Sequence, residues 1–192
     1  VLALASSSVA AEAKRYELDP VHSRMVFFVD HAGFSNAIGT FSGLHGELWF
    51  DHKRWDGARV EATVPIESLD LGDAEWRERI LDPTFFDVKD HPEARFVSTR
   101  IEPVDATHAR VVGNLTLLGE TQEVVLDVEY NQRKRHPLTF RTTVGFTGRV
   151  TLSRAAFGMK KWKNLVGDAV EIRLEIEARR DRTPNGADED DD

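Results

Sequence analysis

Polar and apolar residues alternate along most of the chain, with the period of two that is typical of a half-buried β-strand. The longest run extends from Leu138 to Leu152, where even-numbered positions are mostly apolar and odd-numbered positions mostly polar. Further runs begin near Met25, Phe41, Val60, Phe96, Val111, Val124 and Val170. About eight strands with one apolar face each must stack as a sandwich or close as a barrel. The run from Leu138 would span about 50 Å, and this length favours an eight-stranded antiparallel barrel.

The apolar rows predict the inner wall of this barrel, which we take as the ligand-binding surface. They comprise Met25, Phe27, Val29, Phe41, Leu44, Leu48, Val60, Val64, Phe96, Leu115, Leu117, Leu126, Val128, Phe140, Val144, Phe146, Val170, Ile172 and Leu174. Small residues on the same rows, such as Ala62, Gly113, Gly148 and Ala178, leave room for one slender ligand. The assignment depends on parity, because a slip of one residue turns every side chain to the other face.

Two segments break the alternation. A parity change at Ser42 and Gly43 predicts a β-bulge. Residues 73–86 instead predict a short helical insertion, with Asp73 as its N-cap and Asp82-Pro83 as its end. We expect the insertion to cover one mouth of the barrel and to add four residues to the ligand site: Trp76, Ile80, Phe85 and Phe86. It is a mobile gate or a static plug, and if it is a plug the entrance lies at the other end, near Lys160–Lys163.

Composition narrows the classes of function. The chain has 33 acidic and 25 basic residues and a pI near 5.4, so it lacks the basic excess of a nucleic-acid-binding protein. Much of the acidity lies in Asp188–Asp192, and we expect residues 181–192 to be a disordered tail. The sequence contains no cysteine, which excludes disulfide bonds, cysteine nucleophiles and Cys-based zinc sites.

The first residues indicate export. Apolar residues from Val1 to Ala5 lead into small residues that end at Ala11, the pattern of a secretion signal near its cleavage site. We therefore expect residues 1–11 to be the remnant of a signal peptide and residues 12–180 to be the domain; a flexible tail of small residues is the alternative. No other stretch approaches the roughly 18 apolar residues of a membrane-spanning segment.

Few residues carry recognisable chemistry. Neither a nucleophile elbow nor a phosphate-binding glycine loop occurs, and the seven histidines lack the spacing of a metal motif, so we predict no cofactor and no metal. His31 shares the parity of the inner row and is either a polar group at the cavity mouth or a core histidine; its neighbour Asp30 should face away. Trp162, which lies among Lys160, Lys161 and Lys163, indicates either a transient membrane contact or a solvated loop.

Several segments together resemble the YceI-like polyisoprenoid-binding proteins. They are Tyr16–Ser23 (Y-E-L-D-P-V-H-S), Gly39–Phe41, Asp82–Val88 (D-P-T-F-F-D-V), Gly113–Gly119 and Ser153–Gly158, and their order and spacing match over about residues 16–180. Ile80 and Ala156 depart from the family, which usually has a histidine and an aspartate at these positions.

The resemblance implies a periplasmic, lipocalin-like barrel that carries or stores a long isoprenoid lipid of the polyprenyl or isoprenoid quinone type, and that is not an enzyme. Two alternatives stay open: an enzyme acting on a lipid at the barrel mouth, for which no acid–base pair is recognisable, and a structural barrel with a filled core. Pairing of two copies through exposed strand edges, as a homodimer, is also open.

Overall fold

A computed structural model describes residues 13–181. The predicted signal-peptide remnant and the acidic tail, apart from Asp181, therefore lie outside the described residues. The strands are β1 (Lys14–Leu18), β2 (Arg24–His31), β3 (Ser35–Phe41), β4 (His45–Asp51), β5 (Arg54–Pro65), β6 (Glu93–Pro103), β7 (His108–Leu117), β8 (Glu120–Arg135), β9 (Thr142–Ser153) and β10 (Val166–Arg180). One α-helix, α1 (Ala74–Leu81), and two short 3-10 helices, Ile66–Ser68 and Arg154–Phe157, complete the described part of the chain.

The strand segments form an eight-stranded antiparallel barrel. β1 and β2 lie end to end along β10, since Leu18 pairs with Ala178 and Arg24 pairs with Glu175. β4 and β3 lie end to end in the same way, against β1 and β2 respectively. With each broken pair counted as one strand, eight strands follow in order, and the ring closes where β1 pairs with β10. The predicted barrel is confirmed.

The connections between antiparallel neighbours alternate between the two ends of the barrel. Residues 32–34, 66–92, 118–119 and 154–165 connect strands at the end that we call the mouth. Residues 52–53, 104–107 and 136–141 connect strands at the opposite end, which we call the closed end. The α-helical insertion and the Lys160–Lys163 loop therefore lie at the same end, and the prediction that placed them at opposite ends is wrong.

The closed end is filled by aromatic side chains. The Phe50 ring centroid lies 5.1 Å from those of Trp55, Tyr130 and Phe146, and we call these four residues the aromatic plug. Phe50 is only 2% exposed, and the Trp55 indole donates a hydrogen bond of 3.1 Å to the carbonyl oxygen of Asp105 in an end loop. Paired rings at these distances stabilise a core beyond the area that they bury.

The long strand that was predicted to begin at Leu138 begins instead at Thr142. Leu138 and Phe140 lie in the 136–141 connection and are 83% and 65% exposed, so the inward placement predicted for Phe140 is wrong. The amide of Phe140 donates to the carbonyl oxygen of His136, and its backbone has a φ of +55°. This left-handed turn ends the alternation, and parity therefore carries no information there.

The bulge predicted at Ser42 and Gly43 is wrong as well. β3 ends at Phe41 and β4 begins at His45, so the parity change marks the connection between two strand segments. Register irregularities occur instead in β4, β6, β8 and β10.

The predicted helix is confirmed in place but is shorter than the predicted segment. α1 spans Ala74–Leu81, and the Asp73 carboxylate accepts a 2.7 Å hydrogen bond from the amide of Trp76. The insertion completes the barrel wall beside β3, whose outer edge makes only an isolated bridge between Thr40 and Asp70. Pairing of two copies stays a prediction. Within residues 13–181, none of the helices has the length and apolar character needed to cross a bilayer.

Candidate functional site

A cavity of about 590 Å³ opens at the mouth of the barrel. Strands β2, β3, β7 and β10 form much of its wall, the α1 insertion covers one side, and the loop after β9 covers another. Most lining side chains are aliphatic or aromatic. The volume is within the range of about 300–1,000 Å³ that ligand pockets occupy.

A second, inner cavity of about 170 Å³ adjoins the first and reaches the aromatic plug at Phe50 and Trp55. Side chains that line both cavities are Met25, Val64, Ala94, Leu115, Leu152 and Ile172. Because the two spaces share these walls, they form one apolar path that leads from the mouth into the barrel.

The structure brings most of the predicted site residues to this path. The mouth cavity is lined by Met25, Phe27, Val29, His31, Phe41, Val64, Trp76, Ile80, Phe85, Phe86, Leu115, Leu117, Val170 and Ile172. The inner cavity adds Leu44, Leu48, Val60, Phe96, Leu126, Val128, Phe146 and Leu174. Phe140 is exposed, and Val144 is fully buried in the core of the closed end. That the lining residues bind a ligand stays a prediction.

Glycines on the inner rows give aromatic side chains room to lie flat against the wall. A Cβ atom on Gly39 would lie 2.3 Å from Cζ of Phe27, its partner across β2 and β3. Gly113 accommodates the Phe96 ring in the same way, at 2.5 Å. The space predicted from Gly113 is therefore occupied by Phe96, whereas Ala62 and Gly148 line the inner cavity.

Polar side chains occur in the mouth cavity and are few. They are Asp30, His31, Arg79, Asp82, Thr84 and Arg154. Asp30 accepts hydrogen bonds of 3.2 Å from the amide of Gly33, and the His31 ring lies 6.4 Å from the Trp76 ring. Asp30 and His31 both line the cavity, against the expectation that neighbours face opposite sides, because β2 ends at His31 and the chain turns there.

Arg154 fixes the loop that forms the other side of the mouth. Arg154 is 5% exposed, and its guanidinium donates to the carbonyl oxygens of Met159, Lys161, Val166 and Gly167 at 2.5–2.9 Å. These donations satisfy backbone oxygens of the loop and of the first two residues of β10. Arg154 therefore fixes the loop from its buried side.

This loop supplies apolar cavity residues that sequence reasoning missed, namely Phe157, Met159, Trp162 and Leu165. They follow no period, so parity has no means of finding them. The clustering of apolar and basic residues was the available signal.

A separate polar cluster lies at the junction of β1 and β2. Asp19 is 3% exposed and accepts hydrogen bonds from His22, at 2.6 Å, and from Nε of Arg179, at 3.0 Å. Burial opposes ionisation of Asp19, but the hydrogen bonds from Arg179 and His22 outweigh it and hold the pKa of this carboxyl well below its usual range. Ligand atoms of Asp19, His22 and Glu177 lie within 4.8 Å of one another, as cation ligands would, but Arg179 already supplies the positive charge.

The fold and the cavity define a closed antiparallel barrel with an internal apolar path. The chain belongs to the YceI-like domain family, whose profile matches residues 16–178. Among its relatives, a UPF0312 protein of Pectobacterium carotovorum is 30% identical over 183 residues, which are 95% of this chain and 93% of the relative. A UPF0312 protein of Pseudomonas savastanoi is 33% identical over 140 residues, 72% of each chain.

Solved structures share the same fold. BcnA of Burkholderia cenocepacia matches with a TM-score of 0.74 and 26% identity, over 83% of this chain and 98% of that one. A YceI protein of Campylobacter jejuni has a TM-score of 0.72 and 21% identity, over 78% and 88%. A domain of Saccharophagus degradans described as polyisoprenoid-binding has a TM-score of 0.67 and 13% identity, over 86% and 98%. At these identities the last two matches show the fold alone.

Proposed function

We propose that the protein is a carrier or storage protein that holds a long isoprenoid lipid inside its barrel. The observation that supports this most strongly is the apolar path formed by the mouth cavity and the inner cavity. Each methylene group that a chain buries there contributes about 0.8 kcal/mol. An extended hydrocarbon can therefore bind tightly without a polar partner in the interior.

The polar groups at the mouth favour a lipid with a small neutral head group, such as an isoprenoid quinone, over a polyprenyl diphosphate. Asp30 and Asp82 place two carboxylates at the mouth. Of the two arginines there, Arg154 donates to four backbone carbonyls and Arg79 pairs with Glu75. Among the side chains that line the cavity, a diphosphate would meet two carboxylates and two cations that already have partners, because Lys160, Lys161 and Lys163 do not line it.

A binding role is also favoured over acid–base catalysis on a lipid. Asp30 accepts from the backbone of its own turn, Arg154 supports a loop, and His31 faces the Trp76 ring. Acid–base catalysis requires two groups that converge on one reacting atom. These contacts give the polar side chains structural roles at the rim of the cavity, which favours binding over catalysis.

The direct test is mass spectrometry of an organic extract from the purified protein, followed by titration with an isoprenoid quinone and with a polyprenyl diphosphate of equal chain length. We expect a co-purified isoprenoid lipid and tighter binding of the quinone. An empty extract together with no uptake of either lipid would support a purely structural barrel.

A blocking variant tests whether the cavity is the binding site. Val64 lines both cavities, so Val64→Trp should close the path between them and abolish retention of a long chain. The matched control is Val104→Trp, because Val104 is 66% exposed in a closed-end loop. Equal retention by the two variants would contradict the proposal.

For the location we propose the periplasm, with support from the apolar and small residues of segment 1–11. Fractionation of a Gram-negative host that expresses the full precursor tests this. We expect the protein in the osmotic-shock fraction, and its retention with cytoplasmic markers would overturn the location without affecting the lipid proposal.

A further inference from the structure

Two loops at the mouth expose a compact apolar and basic surface, which we call the rim patch. Its apolar members are Phe34, Trp162 and Leu165, which are 89%, 59% and 42% exposed. Its basic members, Lys160, Lys161 and Lys163, are also exposed. The amide of Ala32 donates a 2.8 Å hydrogen bond to the carbonyl oxygen of Leu165, so the two loops are joined. Large exposed apolar side chains grouped in this way mark an interaction surface.

The backbone holds Trp162 outward in a conformation that a bulky residue rarely adopts. Its φ is +59°, in the left-handed region that is strained for residues other than glycine. The carbonyl oxygen of Trp162 accepts from the amides of Leu165 and Val166, and buried Arg154 holds Lys161 and Val166 on either side. These hydrogen bonds stabilise the strained backbone of an exposed tryptophan, and this indicates that the exposure of Trp162 has a function.

The charge of the rim patch is opposite to that of the whole protein. The chain has a formal net charge of -8, yet three lysines lie within four consecutive positions around Trp162. Two carboxylates lie nearby, Asp168, which accepts from Ser153 and from the amide of Ala155, and Asp30, which accepts from the amide of Gly33, and the three lysines outnumber them. The patch thus presents lysine side chains next to tryptophan and phenylalanine.

We propose that the rim patch seats the mouth of the barrel on the surface of a bilayer that contains anionic phospholipids. Lysines are attracted to the anionic head groups, and the aromatic rings enter the interface, where Trp is enriched in membrane-bound proteins. Trp162 and Leu165 also line the mouth cavity, so a chain leaving the bilayer passes onto the cavity wall without crossing water. The purpose of this docking rests on the proposed lipid-carrier function.

The test measures co-flotation of the protein with vesicles that contain no isoprenoid. One set contains phosphatidylcholine alone and the other contains phosphatidylcholine mixed with phosphatidylglycerol. We expect binding to the mixed vesicles and its weakening by salt. The triple variant Lys160→Glu, Lys161→Glu, Lys163→Glu should lower vesicle affinity at least about tenfold, and Trp162→Ser should lower it as well.

The closed end provides the matched control. Lys53, Lys134 and Arg135 are exposed there, so the triple variant Lys53→Glu, Lys134→Glu, Arg135→Glu makes the same change of charge at the opposite end. Phe140 is 65% exposed, so Phe140→Ser is the control for Trp162→Ser. We expect both closed-end variants to bind vesicles like the unmodified protein. Equal binding of all variants, or loss of binding only in the closed-end variants, would overturn the proposal; so would equal binding to both kinds of vesicle.

Retention of an isoprenoid quinone added without vesicles separates this proposal from the carrier function. If the rim variants lose vesicle binding but retain the quinone, both proposals are supported. If the unmodified protein binds vesicles but takes up no lipid, the carrier function fails and the docking surface stands. If it takes up lipid but does not bind vesicles, the docking proposal fails alone.

Discussion

The two ends of the barrel are built from the same alternating strands but are filled in different ways. At the closed end, the four rings of the aromatic plug meet with centroid distances of 5.1–6.4 Å. At the mouth, aliphatic and aromatic side chains of the strands, the helical insertion and the loop after β9 surround about 590 Å³ of open space. Alternation decides which side chains face inward, and the way in which they pack against one another decides whether the interior becomes a core or a cavity.

The ends also differ in how the wall is closed. Beside the aromatic plug, β1 pairs with β4 without a break in register, and β4 pairs with β5 from His45 to Asp51 with one irregularity between Trp49 and Asp51. At the mouth, β5 ends at Pro65, and the outer edge of β3 meets the insertion through one bridge, Thr40–Asp70. Side-chain contacts such as the edge-to-face pair of Phe41 and Phe86, with centroids 5.7 Å apart, close the rest. Fewer backbone hydrogen bonds make this the end where local opening costs least.

The largest effect should come from removing a ring from the aromatic plug. Phe50→Ala leaves a void among packed rings, and we expect it to lower the free energy of unfolding by about 3–5 kcal/mol. Phe27→Ala is the matched change at the mouth, where the removed ring borders existing space, so its cost should be smaller. Urea unfolding measures both. A cost for Phe27→Ala equal to that for Phe50→Ala would mean that the mouth is packed like the closed end.

Acid should act on the junction of β1 and β2 through Asp19. The pKa of Asp19 is lowered in the folded protein, so its contribution is complete above the unfolded value of about 3.9 and is lost as the pH falls toward the folded value. Asp19→Asn should cost about 1–3 kcal/mol at neutral pH. The variant should also lose less stability than the unmodified protein between pH 4 and pH 2.

The control for this experiment is Asp56→Asn, because Asp56 is exposed. We expect this variant to lose as much stability between pH 4 and pH 2 as the unmodified protein does. If Asp19→Asn and the unmodified protein lose stability in parallel as the pH falls, Asp19 is not the group responsible.

The sequence predicted much of the barrel wall because its signal is local. Parity places Val64 and Ile172 on the inner face without knowledge of their neighbours, and both line the cavity. Parity fails where the backbone turns, as at Phe140, whose left-handed φ belongs to the hairpin. Parity also cannot predict long-range contacts. Arg154 donates to the carbonyl oxygens of Val166 and Gly167, and Arg179 donates to Asp19, which is 160 positions away in the sequence.

The smallest effect, and the one that most sharpens the comparison of the two ends, concerns movement of the insertion. Gly72, with a φ of +75°, precedes α1 and provides a backbone position at which the helix can swing. Arg77 donates from α1 to the carbonyl oxygen of Leu69, and across the mouth the Trp76 ring lies beside the His31 ring. The insertion is a gate if these two rings separate during lipid exchange and a static plug if they do not.

Cross-linking across the mouth distinguishes a mobile insertion from a static one. Because the chain contains no cysteine, His31→Cys and Trp76→Cys introduce the only two thiols, and a short bismaleimide can join them. We expect release of a fluorescent prenyl lipid from the joined protein to slow several-fold, because opening must precede exit. The control is the same double variant with each thiol capped by a single maleimide, which carries the same substitutions without the tether. Equal release from the joined and capped proteins would make the insertion a static part of the core, and the mouth would then admit lipid beside the rim patch without any movement of α1.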